Sequence, residues 1–371
     1  MEFELTEDQA LLRDSVQRCL ADTYAFDTRR AIARAGGFDR AQWQAFGDMG
    51  WLGAALPDAL GGIDGGAEEL ALLHEGLGRA LVLEPVAAVA TLAAQALRHA
   101  DAGRAKELLP PLVAGERLLV LAHHEAGAAG RIALVRTRAA ESAPGLRLSG
   151  EKRLLPGGTQ AEAFIVSARE HGADDDEAGL SLFLVPRDAP GLRRRDYRLI
   201  DGSIACDLQL DGVLLDAAAR IGPARAAFAA LEEAHAWATV ACIAEATGVM
   251  DLAVHTTRGY LLDRRQFGVV IASFQALRHR LADMAIALEQ SRAMLQHALR
   301  SLHDRAQRRR ELALAKALVG RSGRFVGAQA IQLHGGIGMT DEYVIGHCFK
   351  RLMVLDQWLG DAETMWGRAA A

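Results

Sequence analysis

Paired cysteines are missing from this chain of 371 residues: Cys19, Cys206, Cys242 and Cys348 lie far apart and form no CxxC motif. That spacing argues against a disulfide framework and against a metal centre, and it suits a reducing cytoplasm. No basic stretch followed by an apolar core stands behind Met1-Glu2-Phe3-Glu4-Leu5, so a signal peptide is not expected. No run of ~18 uncharged apolar residues occurs, so no membrane span is expected. Positive charge is also short, with 42 Lys and Arg against 47 Asp and Glu and a net charge of -5. A nucleic-acid partner would need a concentrated basic face to neutralise phosphates. The two basic clusters, Arg193-Arg194-Arg195 before Asp196 and Arg308-Arg309-Arg310 between Asp304 and Glu311, read as solvated turns or faces.

What is present is apolar mass. Half of the residues are hydrophobic and 24% are charged, enough to bury a large core and too little polarity for disorder. The length suits roughly two or three domains, and the pattern divides the chain into an N-terminal helical domain (1–115), a β-barrel or sandwich domain (116–222) and a C-terminal four-helix bundle (223–371). In the first, Thr6 and Gln9 form a possible capping box ahead of a stripe at Leu12, Val16 and Leu20. Trp43, Phe46 and Met49 continue it until Gly53 and Pro57. Leu70, Leu73 and Leu77 precede an Ala-rich run over 86–97, and Pro110-Pro111 is expected to close the last helical pair.

From residue 116 the period changes. Short apolar runs over 118–122, 132–135, 164–166, 182–185 and 206–210, bounded by Gly, Pro or charge, predict strands. Leu146, Leu148 and Leu154 alternate with polar neighbours, as on a sheet with one wet face. From Pro223 the helical period returns over 224–262, 274–302, 311–333 and 343–359, which is the content of an antiparallel bundle.

Between the last two helices lies Gln332-Leu333-His334-Gly335-Gly336-Ile337-Gly338-Met339-Thr340-Asp341-Glu342-Tyr343. Glycines there end a helix and also let another molecule approach the main chain. Phosphate and ribose groups are typical visitors. A second signature precedes it: Arg264-Arg265-Gln266-Phe267-Gly268, followed by Ile271 and Phe274-Gln275. These two motifs, in this order and with Gly150-Glu151-Lys152 in the middle segment, resemble the acyl-CoA dehydrogenase family over essentially the whole chain.

The resemblance implies FAD held noncovalently at a subunit interface, with its diphosphate and adenosine end met by a neighbouring subunit. By the same resemblance, Arg264 is the diphosphate partner, with a guanidinium fork suited to phosphate oxygens. Phe267 is the aromatic beside the cofactor, and Gln332, Gly335 and Gly336 meet the adenosine and diphosphate end. The implied chemistry removes a proton alpha to a thioester and passes a hydride from the beta carbon to flavin, so a carboxylate must lie over the substrate. An acyl-CoA substrate, an electron-transfer flavoprotein as electron acceptor, and association as a dimer or tetramer follow from the same likeness.

The family's base is either a Glu before the glycine that here is Gly360, where Leu359 stands, or a Glu early in the first bundle helix, where Ala238 stands. Glu245, in the apolar run 241–246, is the nearest substitute, because a buried carboxylate has its pKa raised and suits a general base or a structural bond equally. It lies seven residues beyond Ala238, ~10 Å along a helix. Asp361 and Glu363 follow the other vacancy and are further candidates for the base or for a solvated helix end. The flavin-side Trp and Thr of the family are replaced by Leu154 and Pro156. The first strand ends in His123-His124-Glu125, either histidine being able to touch cofactor or to sit at a strand end. Three functions fit these departures. One is a dehydrogenase with a displaced base. A second is the smaller, non-catalytic subunit of a heteromeric enzyme resembling bacterial pimeloyl-CoA dehydrogenases, whose larger homologous partner supplies the base. A third is another flavin reaction, of nitroalkane oxidase or monooxygenase type.

Overall fold

The computed structural model describes residues 5–128, 130–142 and 145–370. The chain begins with α1 (Glu7–Thr23), opened by the expected box: Thr6 Oγ1 accepts from Gln9 N at 3.2 Å, and Gln9 Oε1 accepts from Thr6 N at 3.1 Å. Val16 and Leu20 form its buried stripe. Next come α2 (Phe26–Ala35), α3 (Arg40–Asp48) and α4 (Ala67–Arg79). The Ala-rich run winds as a π-helix over Ala87–Ala93 before α5 (Ala94–Ala100). In α6 (Ala102–Val113) both Pro110 and Pro111 lie inside the helix, which therefore runs past the expected stop.

The β segment builds one eight-stranded sheet: β1 (Leu119–Ala122), β2 (Arg138–Ser142), β3 (Gly145–Pro156), β4 (Ala163–Arg169), β5 (Leu180–Pro186), β6 (Leu192–Arg198), β7 (Ile204–Leu215) and β8 (Arg220–Ile221). Strand order is β6-β7-β3-β2-β4-β5-β8, with β1 parallel to β4. β4 and β5 are buried along nearly their whole length and pair from Ala163↔Pro186 to Arg169↔Leu180. One expectation needs correction. Residues 132–135 form no strand, because the carbonyls of Ala133 and Val135 are taken by the buried Arg169 guanidinium at 2.8 and 3.2 Å. Arg193 and Arg195 lie exposed on the edge strand β6 with Arg194 half-buried between them, a solvated face as expected, and charge on an edge discourages pairing with a second sheet.

The helices return as α7 (Phe228–Asp263), α8 (Gln275–Ser301), α9 (Arg308–His334), α10 (Val344–Gln357) and α11 (Ala362–Ala370). A short ribbon of β9 (Arg265–Gln266) and β10 (Val269–Val270) separates α7 from α8. α11 adds a helix to the four expected, burying Met365 and Ala369 against Ala313 and Ala317. Arg308 lies buried at the start of α9 rather than on a solvated face. α7 is long and apolar enough to cross a membrane, yet 94% of its most apolar window is buried in the protein. It is a core helix.

Two compact units emerge. The first comprises the described residues of Met1–Ala31, Glu68–Val82 and Thr239–Ala371, and the second comprises Ile32–Ala67 and Leu83–Ala238. Within the first unit α4 and α7 approach backbone to backbone. A Cβ on Gly78 would lie 2.1 Å from Glu245 O, and one on Gly248 would lie 2.0 Å from Glu75 O. Only glycine permits that crossing.

Candidate cofactor site

In the helical unit, the ends of α7 and α9 meet. Tyr260, one turn before Arg264, packs at a tilt against His334 with centroids 4.4 Å apart, and its hydroxyl donates to His334 O at 3.4 Å. Beyond α7, the β9–β10 ribbon turns at Phe267 (φ 55°) and Gly268 (φ 80°), the two left-handed residues of a type I′ hairpin. Phe267 is 90% exposed. A phenyl ring so open, on a backbone that disfavours any side chain, gains nothing from this chain beyond the edge of Phe274 at 6.1 Å. Arg264 is exposed too, and among the described residues it forms no ion pair with Asp263.

At the end of α9, Gln332, Gly335 and Gly336 are all exposed. Gly335 needs its left-handed φ of 66°. Gly336 has neither a positive φ nor any atom within 4 Å of a built Cβ. Among the described residues nothing demands glycine there, and the position leaves open space beside the main chain. His334 adds an orphan: Nδ1 donates to Ala330 O at 2.8 Å, leaving Nε2 as a buried acceptor with no hydrogen-bond partner among the described residues. Burial holds this imidazole below its ordinary pKa. An open turn, a free guanidinium and a bare aromatic fit the adenosine and diphosphate end of a dinucleotide.

The flavin-ring positions lie in the other unit and are built differently. Leu154 sits at φ 50° with its N–H donating to Asp207 Oδ1 at 3.0 Å, and its side chain carries no donor. Beneath this strand Lys152 is fully buried, and its ammonium donates to Glu125 Oε1 at 2.7 Å and Ser167 Oγ at 3.1 Å. Burial lowers the Lys152 pKa to about 8 although Glu125 opposes the shift. Burial pushes the Glu125 carboxyl up, but the Lys152 charge and bonds from Lys152, Thr137 and Arg136 bring it below its ordinary range. His123 points inward, with Nδ1 2.8 Å from Ser167 Oγ, and burial with the neighbouring His235 keeps it neutral. His124 is half-buried, and its carbonyl accepts from Arg153 N at 2.8 Å. Glu125 and Lys152 were visible in sequence, but their pairing was not.

At the two base positions, Ala238 is fully buried in α7, and Leu359 has φ 64° immediately before Gly360. Lys316 fixes this second loop by donating to the carbonyls of Leu355, Asp356 and Gly360 at 2.9, 3.0 and 3.2 Å. Glu245 is buried and accepts from Arg351 Nε at 2.6 Å. Asp361 caps α11 through Thr364 N at 2.8 Å, which holds its carboxyl below the usual range. Glu363 is exposed and 3.4 Å from Arg324.

Comparison with known proteins identifies the scaffold. Residues 6–116, 121–213 and 228–371 match the family profiles described as acyl-CoA dehydrogenase N-terminal, middle and C-terminal domains. The chain belongs to the acyl-CoA dehydrogenase family. Its members are flavin oxidoreductases that use FAD, and the helical, β-sheet and helical segments follow the family fold. Among relatives, a probable acyl-CoA dehydrogenase YngJ of Bacillus subtilis is 27% identical, covering 98% of this chain and 97% of that one. Among solved structures, a variant of the Tcur3481-Tcur3483 steroid ACAD is 32% identical with a TM-score of 0.88, covering 98% of this chain and 97% of its own. The ChsE4-ChsE5 complex from Mycobacterium tuberculosis is 26% identical with a TM-score of 0.89, covering 100% of this chain and 98% of its own.

Proposed function

We propose that this chain is the non-catalytic subunit of a heteromeric FAD-dependent acyl-CoA dehydrogenase, in which a larger homologous partner supplies the base and this chain supplies the dinucleotide end of the cofactor site. The observation that carries the proposal is Leu359. Its left-handed backbone of φ 64° before Gly360, braced by Lys316, retains a shaped loop at the family's base position with an alkyl group where the proton acceptor belongs. Two of the structures similar to this chain bear paired names, Tcur3481-Tcur3483 and ChsE4-ChsE5, which favours a two-component assembly.

In this scheme the Arg264 guanidinium binds phosphate oxygens by its fork. Gly335 and Gly336 let the diphosphate reach the main chain, Gln332 meets the adenosine, and Phe267 covers the cofactor from the hairpin tip. FAD, when bound, supplies the hydride acceptor. The alpha proton of the acyl-CoA leaves to the partner's carboxylate. We assign Glu245 to packing rather than proton transfer, since Arg351 already occupies it. An electron-transfer flavoprotein as acceptor, a cytoplasmic setting, likeness to pimeloyl-CoA-type small subunits, and domains at 1–115, 116–222 and 223–371 complete the proposal.

The test is to purify the chain alone and with its homologous partner, record flavin absorbance, and add dicarboxylic, straight-chain and steroid side-chain acyl-CoAs. Bleaching is expected only for the assembly. Bleaching by the isolated chain would sink the non-catalytic role, and absence of flavin from both preparations would sink the shared site.

A further inference from the structure

The inner half of the turn carrying Gly335 and Gly336 is a 3-10 helix over Gly335–Met339, tied to α9 by Gly335 N donating to Ile331 O, and the segment beyond it has fewer bonds of its own. Thr340 donates its N–H and hydroxyl to Ile337 O at 3.1 and 3.0 Å, and Tyr343 N reaches Thr340 O at 3.4 Å. Its outer half is held instead from α10. His347 Nε2 lies 3.0 Å from Asp341 O. A carbonyl only accepts, so Nε2 carries the proton and Nδ1 presents its lone pair. That lone pair faces Arg29 Nη1 at 2.7 Å. Guanidinium only donates, so both contacts are satisfied by one neutral tautomer. Arg29 is 1% exposed, its Nε reaches Leu81 O at 3.3 Å, and Phe26 packs edge-on against the His347 ring at 5.1 Å. From the next residue of α2, Arg30 lies 3.7 Å from Glu342 in the same turn.

We propose that Arg29 is a positioning residue for the nucleotide turn, acting through His347 and the carbonyl of Asp341 to hold Gly335 and Gly336 open to a diphosphate. This rests on the shared-FAD role proposed above. Protonating His347 would set an N–H against the guanidinium, and burial, opposed by the Asp341 carbonyl and carboxylate but aided by Arg29, holds the imidazole below its ordinary pKa. Removing the guanidinium leaves Nδ1 unpaired and the ring free to turn, so the carbonyl of Asp341 loses its fixed donor. The cost then falls on the turn, at the point where the cofactor binds.

The test uses the assembled protein with FAD and with ADP, which carries the adenosine and diphosphate alone. Arg29→Met and His347→Leu should each raise the Kd for both ligands about tenfold while shifting the Tm of the flavin-free protein by only a few degrees. His347→Gln, whose amide can donate to Asp341 and accept from Arg29, should restore near-normal affinity. The Arg29→Met/His347→Leu double variant should be no worse than either single one, because both break one chain of contacts. Unchanged affinity in Arg29→Met, additive losses in the double variant, or failure of His347→Gln to rescue would overturn the inference. If the unaltered assembly binds neither FAD nor ADP, the shared-cofactor role itself fails.

Discussion

Arg351 Nε donates to Glu245 Oε1 at 2.6 Å, joining α10 to α7 across 106 positions of sequence. Both side chains are largely buried, at 14% and 5% exposure. A carboxylate already neutralised by an adjacent guanidinium is a poor proton acceptor, because protonating it would strand a buried cation.

Glu245→Gln should therefore lower folding stability by about 3 kcal/mol, in the range for breaking one half of a buried ion pair. Flavin bleaching by the assembled enzyme should keep its rate. Urea unfolding and stopped-flow absorbance read the two effects separately, and a lost bleaching rate at unchanged stability would return Glu245 to the chemistry.

The Lys152–Glu125 pair predicts a pH dependence. The Glu125 carboxyl is held below its ordinary pKa in the folded protein, so its contribution is present above the unfolded value near 4.5 and is lost as pH falls through the lower folded value. Lys152→Met removes the cation and leaves a buried carboxylate. It should cost roughly 3–5 kcal/mol and move the acid-unfolding midpoint upward. The Lys152 ammonium, lowered to about 8 by burial, has a linkage of the same sign: unfolding takes up its proton between about pH 8 and 10.5, so stability from this group also rises with pH across that window. Acid and alkaline denaturation followed by circular dichroism test the two windows.

The two exposed glycines should respond differently to alanine. Gly335→Ala forces a side chain into φ 66°, ψ -141°, a region open essentially to glycine alone, and should cost roughly 1–3 kcal/mol of stability. Gly336→Ala meets open space and no backbone penalty, so its Tm should stay unchanged. If the turn serves a diphosphate, Gly336→Ala should nonetheless weaken FAD binding about tenfold. An unaltered FAD Kd would make Gly336 an ordinary turn residue.

Much of this was legible in sequence because it is local. Capping at Thr6, the stripe through Val16 and Leu20, and the return of helical period after Pro223 all depend on neighbours a turn away. The errors arose where distant groups decide the outcome. Residues 132–135 have a strand's composition, but Arg169 claims their carbonyls. Pro110 and Pro111 read as a stop, yet α6 tolerates both. Arg308 read as solvated because its neighbours are charged, but its place at the head of α9 buries it. The motif residues at 264–268 and 332–336 were recognisable as short patterns. The pairings that fix their surroundings, Arg29 with His347 across 318 positions and Glu245 with Arg351, leave no periodic trace in a single sequence.

The claim that this chain lends the dinucleotide end of a site whose flavin and base belong to a partner is tested most directly by the flavin-to-protein ratio. The assembly of this chain with its larger homologue should hold one FAD per pair of chains, and Arg264→Gln in this chain alone should release it. Two FADs per pair, or full retention after that substitution, would contradict the account.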